Sequence, residues 1–160
     1  MFWEEKMLEF LKVESKDLDE YMEVKIDAFS DDVQTYGFGP TDYNNINKLQ
    51  EAITKFPIYK MVLDGKIVGG MSCFDHGNDE FWLGGIYIDK DHQNMGIGAK
   101  AIKFLEREFP EAKVWGLDTP YKSYRNHHFY EKMGYVKVRE TEPIEDKGGF
   151  YLYVYEKKMK

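Results

Sequence analysis

The chain has 160 residues, 42% hydrophobic and 16% aromatic, the length and apolar content of one domain with a sizeable core. Its 22 Lys and Arg against 29 Asp and Glu leave a net charge of −7, which argues against nucleic acid and anionic membranes as general partners. The single Cys73 excludes an internal disulfide, no run approaches the roughly 18 apolar residues of a membrane span, and Met1–Lys12 mixes Glu4, Glu5 and Glu9 into its apolar residues, unlike a secretory leader, so the reducing cytoplasm is the expected location.

Met7–Val13 is apolar enough for a first strand, and Ser15 precedes acidic residues as a helix start does. Leu18, Tyr21, Met22, Ile26 and Phe29 then recur at helical spacing on one core-facing side. The Tyr36-Gly37-Phe38-Gly39-Pro40 stretch breaks that pattern, and Thr41 or Asp42 is expected to cap a second helix carrying Ile46, Leu49 and Ile53. After Pro57 come Ile58–Leu63, the dipeptide Asp64-Gly65, and Lys66–Phe74, a strong hairpin signal. A turn at His76–Asp79 leads into Phe81–Ile88, giving three antiparallel strands in succession. Gly96–Phe109 is helical until Pro110 stops it, and a strand follows at Lys113–Leu117. A last helix runs from about Ser123 to Met133 with Gly134 as its left-handed terminator, and Tyr135–Arg139 and Phe150–Tyr155 supply two closing strands. No linker divides the chain. The expectation is a single α/β domain over residues 1–160, a mixed sheet with helices against it, in the order β-α-α-β-β-β-α-β-α-β-β.

Asp89–Ala99 lies between a strand and a helix. Glycines at a helix start let backbone N–H groups converge on an anion that also feels the positive end of the helix dipole. An ordinary tight turn is the alternative. Gly96-x-Gly98-x-x-Ala101 with Asp118 beyond it meets the letter of a dinucleotide fingerprint, but the polar run Asp89–Met95 separates the first glycine from its strand, and too little chain follows for a dinucleotide domain. No Gly-Lys-Ser/Thr follows, which excludes a P-loop.

Gln93-x-x-Gly96-x-Gly98, after a strand and opening a helix, resembles the Arg/Gln-x-x-Gly-x-Gly/Ala signature of the GNAT-type N-acetyltransferases. Further on, Phe129-Tyr130-Glu131-Lys132-Met133-Gly134-Tyr135 resembles that family's helix ending in Tyr-Glu-Lys-x-Gly-Phe, and the element order matches its acyl-CoA N-acyltransferase fold over almost the whole chain. The resemblance implies acetyl-coenzyme A as cofactor, its pyrophosphate held by amides of Met95, Gly96, Ile97, Gly98 and Ala99, with Gln93 at the signature position and Asn94 and Lys100 beside them. Ile86, Tyr87 and Ile88 would pair with the pantetheine arm like an added strand. The Ile88 amide would stabilise the charge that develops on the thioester oxygen.

By the same resemblance Tyr130 is the general acid toward the departing thiolate, next to Phe129. Ser123, Asn126 and Tyr130 share one helical face. Many members carry asparagine where this chain has Ser123, and Asn126 comes a turn later; either can bond the pantetheine or, for Ser123, cap the helix. Many members also carry a glutamate base on the strand before the glycine loop, yet Trp82 and Gly84 here cannot take a proton. The base is therefore open among Glu80, Asp118 and His76, or an amine arrives already neutral. The acceptor side is expected to include Tyr36, Phe38 and Tyr43, with Glu80 and Asp118, unless those aromatics staple their loop to the core.

Cys73 reads as a small core residue and the four histidines do not read as a metal site. Lys122, Arg125 or Lys100 can meet the coenzyme's 3′-phosphate. The expected acceptor is a primary amine of a small molecule or peptide, attacked directly in a ternary complex, and the alternative is a coenzyme-binding sensor that turns over poorly. The aromatic closing strand Phe150–Tyr155 is a candidate edge for a homodimer.

Overall fold

The computed structural model describes residues 7–160; Glu4 and Glu5, part of the argument against a leader, lie outside the described residues. Seven strands are hydrogen-bonded in the order β1-β2-β3-β4-β5-β7-β6. The β4–β5 pair is parallel, whereas β1–β2, β2–β3, β5–β7 and β6–β7 are antiparallel. Two compact units divide the chain, the first ending at Cys73 and resuming over Gly85–Phe104, the second made of Phe74–Gly84 and Leu105–Lys160.

The first unit holds β1 (Leu8–Lys12), α1 (Leu18–Ala28), α2 (Ser30–Tyr36), α3 (Ile46–Ala52), β2 (Ile58–Leu63), most of β3 (Lys66–Asp75) and the end of β4 (Glu80–Ile88). Its core joins Val13, Tyr21, Met22, Leu49, Ile58, Val62, Ile67 and Tyr87. Asp64 (φ 50°) and Gly65 (φ 82°) are both left-handed, the turn that an Asp-Gly hairpin requires. Before α1, the Asp17 carboxylate accepts from the Glu14 amide and from the Lys60 ammonium, both at 2.8 Å. Burial works against its charge, but these two donors hold its pKa below the usual carboxylate range.

Helix α2 is an addition to the expected order. None of its residues is buried, so no apolar stripe announces it; Phe29 (φ −94°, ψ 3°) breaks the backbone, the Ser30 hydroxyl donates to the Asp27 carbonyl, and left-handed Gly37 ends the helix. The expected cap at Thr41 or Asp42 is also corrected. Asn45 caps α3, its side chain accepting from the Lys48 amide at 3.1 Å, while Asp42 is left-handed in the preceding turn.

The second unit holds the start of β4, β5 (Val114–Pro120), α5 (Tyr124–Lys132), β6 (Val136–Glu140) and β7 (Leu152–Lys158); α4 (Ile97–Glu108) begins in the first unit and ends in the second. Phe81, Phe109 and Trp115 form one aromatic cluster, with centroids 5.2 to 6.3 Å apart. Gly134 (φ 98°) closes α5 in a Schellman motif, the Tyr135 amide donating to the Tyr130 carbonyl and the Gly134 amide to that of Glu131. The Tyr130 and Tyr135 rings meet edge to face at 5.8 Å as the apolar contact of that motif.

The expected dimer edge does not stand as drawn: β7 is paired on both sides, by β5 and β6, and has no free edge to offer. The free edge on that side is β6. It carries Lys137, Arg139 and Glu140 and a register shift between Lys137 and Arg139, features that discourage edge-to-edge pairing.

Candidate active site

Strand β4 ends in an alternation that puts Tyr87 into the core, beside Tyr21 and Phe29, and leaves Ile86 and Ile88 half-buried on the opposite face. Gln93 reaches back to donate to the Ile88 carbonyl at 3.0 Å, so the signature side chain fixes the last peptide of the strand. Asp89 anchors the next step, its amide donating to the Val68 carbonyl and its carboxylate 2.6 Å from His92 Nδ1. The Lys90 amide donates to Asp27 of α1, and the Lys90 ammonium lies 3.1 Å from Asp31.

Beyond this braced segment the chain turns left-handed at Asn94 (φ 63°) and Gly96 (φ 77°), with Asn94, Met95 and Gly96 exposed, and α4 starts at Ile97. A Cβ at Gly96 would meet nothing within 4 Å. The first-turn amides of Ile97, Gly98 and Ala99 have no carbonyl behind them within the helix and stand at the positive end of its dipole. This arrangement is suited to an anion. Lys100 is exposed on the same first turn.

The second unit holds the α5 group. Ser123 is the N-cap residue, its carbonyl accepting from the His127 amide while its side chain makes no cap bond. The Asn126 amide donates to Thr119 Oγ1 at 3.2 Å, tying α5 to β5. Tyr130 is buried at 7% exposure, its ring 5.2 Å from Phe129. Burial, and then the charge of Asp118, push its phenol well above the ordinary tyrosine value. It stays protonated across the physiological range.

Of the three candidate bases, register separates two. Glu80 pairs with Val114 at the start of the parallel β4–β5 ladder, and Asp118 lies four residues further along β5, about 13 Å away. Asp118 is the carboxylate that Tyr130 feels. Asp118 is exposed at the surface, where the partial loss of water around its carboxyl raises its pKa and Arg139 pulls the other way. His76 stacks on Trp82 at 5.6 Å, and the Trp82 ring lies against Gly116, where a Cβ would come within 2.7 Å of it, so Trp82 is engaged in packing. Gly84 is exposed.

The expected acceptor aromatics divide. Tyr36 and Phe38 approach one another at 6.4 Å, whereas Tyr43 meets Phe29 edge to face at 6.2 Å, and Phe29 in turn meets Tyr87, so Tyr43 is stapled to the core of the first unit. Sequence reasoning missed Lys25, whose ammonium is 5.8 Å from the Tyr87 ring; burial lowers its pKa and Asp42 opposes that. It also missed Asp27, which braces the loop from 63 residues away and so leaves no local signal. Cys73 is fully buried, its thiol pushed up to about 12 by burial, and is inert as a nucleophile. Among the described residues no group of three or more His, Cys, Asp or Glu is placed to hold a metal, and no helix is long and apolar enough to cross a membrane.

Comparison with known proteins bears on this geometry. Over 84 residues the chain is 32% identical to the uncharacterized protein YrkN of Bacillus subtilis (strain 168), a match spanning 49% of this chain and 43% of that protein. It is similar in fold to the PaiA N-acetyltransferase of Thermoplasma acidophilum in complex with coenzyme A, with a TM-score of 0.78 and 18% identity over 96% of this chain and 99% of that one. It is also similar to the ribosomal-protein-S18-alanine N-acetyltransferase of Escherichia coli, with a TM-score of 0.74 and 16% identity over 95% and 94% of the two chains. At such identities the likeness speaks for the mixed α/β fold. A model of the acetyltransferase (GNAT) family matches residues 18–135, across both the Gln93 loop and the Tyr130 helix, and the chain belongs to that family.

Proposed function

We propose that the protein transfers an acetyl group from acetyl-coenzyme A to a primary amine of a small molecule or peptide, by direct attack in a ternary complex. The observation that carries this reading is the opening of α4: a left-handed Gly96 with open space where a Cβ would stand, the exposed residues Asn94 and Met95 leading into it, and first-turn amides without helical partners. Those features fit a pyrophosphate. The coenzyme supplies the acetyl group already activated as a thioester.

The roles follow from the chain's own groups. The amides of Met95 to Ala99 bind the pyrophosphate, Gly98 allows close approach, and Asn94 and Lys100 flank it. The β4–β5 ladder spans Glu80–Trp82 of β4, and Ile86–Ile88, beyond that span, are the residues we assign to the pantetheine arm. Gln93 holds the Ile88 carbonyl and Val68 takes the Asp89 amide, so the peptide that follows Ile88 is anchored at both ends; the Ile88 N–H just before it is the donor we assign to the developing negative charge, which an oriented N–H stabilises better than mobile water. Tyr130 holds a proton at Oη for the departing sulfur. Asp118 is the base we assign, because its raised pKa brings a carboxylate nearer the operating pH and because Tyr130 senses its charge. Ser123 and Asn126 are secondary contacts, Asn126 being already engaged with Thr119.

The negative charge favours a cationic acceptor, and the cytoplasm, where the coenzyme resides, is the proposed location. The test is release of the coenzyme A thiol from acetyl-coenzyme A with polyamines, aminoglycosides, amino acids and peptides. Amine-dependent release that falls in Tyr130→Phe and Asp118→Asn is the expected result. The absence of any carboxylate at Trp82 or Gly84 favours a second reading, a sensor that binds the coenzyme without efficient transfer. Stabilisation by acetyl-coenzyme A with no release across the panel would select it.

A further inference from the structure

Between α5, β6 and β7, wholly within the second unit, lies a cavity of about 440 Å³ that takes no part in the proposed chemistry. A volume of that size is in the range of small-ligand sites. Tyr153 and Tyr155, two residues apart on β7 and so on one face of the sheet, contribute to its lining together with Tyr135. The His127 ring stacks on Tyr153 at 4.4 Å and 17°, and its Nε2 donates to the Pro120 carbonyl at 2.9 Å, which holds the imidazole in place. The Glu131 carboxylate accepts from the Tyr155 hydroxyl at 2.9 Å. Burial and this carboxylate push the Tyr155 phenol up to about 12, so it stays neutral beside the acid.

One cation is already there. The Lys137 ammonium lies 3.5 Å from the Tyr153 centroid and 2.7 Å from a Glu140 carboxylate oxygen. His127 covers one face of Tyr153, so the ammonium has the other. Tyr153 is the half-exposed ring of this group, with the buried Tyr135, Tyr155 and His127 behind it and the exposed Glu131 carboxylate beside it, a lining that suits positive charge; Lys137 is held there by its contact with Tyr153 and by one exposed ion pair that exchanges readily. We propose that this cavity is a binding site for an organic cation, an alkylated or quaternary ammonium head, with Lys137 as the resident cation that the ligand displaces. The inference does not depend on the acetyl-transfer reading.

The test uses the full chain and choline chloride as probe, with 3,3-dimethylbutan-1-ol as its uncharged isostere and sodium chloride to match ionic strength. Titration is followed by calorimetry and by the ring resonances of Tyr153 and Tyr155. Choline should bind about tenfold more tightly than the isostere, and Lys137→Ala should tighten choline about tenfold by vacating the Tyr153 face. Tyr153→Leu and Glu131→Gln should each weaken it. Lys137 is exposed on β6, so its substitution leaves the core alone; if Tyr153→Leu does not fold, the comparison of choline with the isostere on Lys137→Ala decides. Equal binding of the two probes, or no saturable choline binding to Lys137→Ala, would overturn the proposal.

Discussion

Replacing Gly69 by alanine puts a methyl group against backbone. A Cβ at that position would lie 2.4 Å from the Tyr87 carbonyl oxygen, 3.0 Å from Met61 Sδ and 3.2 Å from Ile88 Cα, and the first of these falls 1.0 Å short of the 3.4 Å at which ordinary contact begins. The methionine sulfur can swing aside, but the β4 peptide can only be pushed away. Insertion of a methyl into a packed site typically costs 1–3 kcal/mol, and because the yielding atom here is backbone we expect the top of that range, about 3 kcal/mol, or a fall of about 10 °C in Tm for a chain of this length. Gly85→Ala is the matched control, since a Cβ there meets nothing within 4 Å and the backbone is not left-handed; it should change stability by under about 0.5 kcal/mol. Urea denaturation of both variants at constant m measures the difference. Because the displaced peptide adjoins Ile88, Gly69→Ala should also slow thiol release well below what the unfolded fraction explains. A Gly69→Ala protein within about 0.5 kcal/mol of the parent would refute the packing argument.

Tyr130→Phe should lower kcat for thiol release by about a hundredfold while leaving Tm nearly unchanged, because the ring contacts survive and only the proton donor is lost; rates and melting curves on the same preparation check this. Asp118 has a pKa raised in the folded state, so its charged form opposes folding: its contribution is most favourable at low pH and is lost as pH rises through its folded pKa. Because the side chain is exposed, Asp118→Asn should raise Tm at neutral pH only slightly, yet remove the acidic limb of the pH–rate profile, which for a base lies above the ordinary carboxylate value. Asp17 is the opposite case, its pKa held down, with stability present above its unfolded pKa and lost as pH falls through the folded one. Asp17→Asn leaves the Lys60 ammonium buried without its counter-charge and should cost about 3 kcal/mol by urea denaturation.

What the sequence determined by itself is local chemistry. Asp64-Gly65 demands a left-handed turn wherever it sits, Gly134 ends a helix with any partner, and the glycines around residue 96 open a helix N-terminus without reference to the rest of the chain. The two motifs were legible because each is a short run whose spacing survives in one dimension. Helix α2 was not, because it buries none of its residues and so leaves no apolar period, and the α3 cap moved to Asn45 because Thr41, Asp42 and Asn45 are all competent caps and only the path of the turn chooses among them. Tertiary structure alone decided that β7 lies inside the sheet with β6 at its edge, that Glu80 and Asp118 stand at different levels of a parallel ladder, and that Asp27 braces Lys90. Strand order and register depend on which distant faces bury together, a choice made by the whole core and written in no single segment.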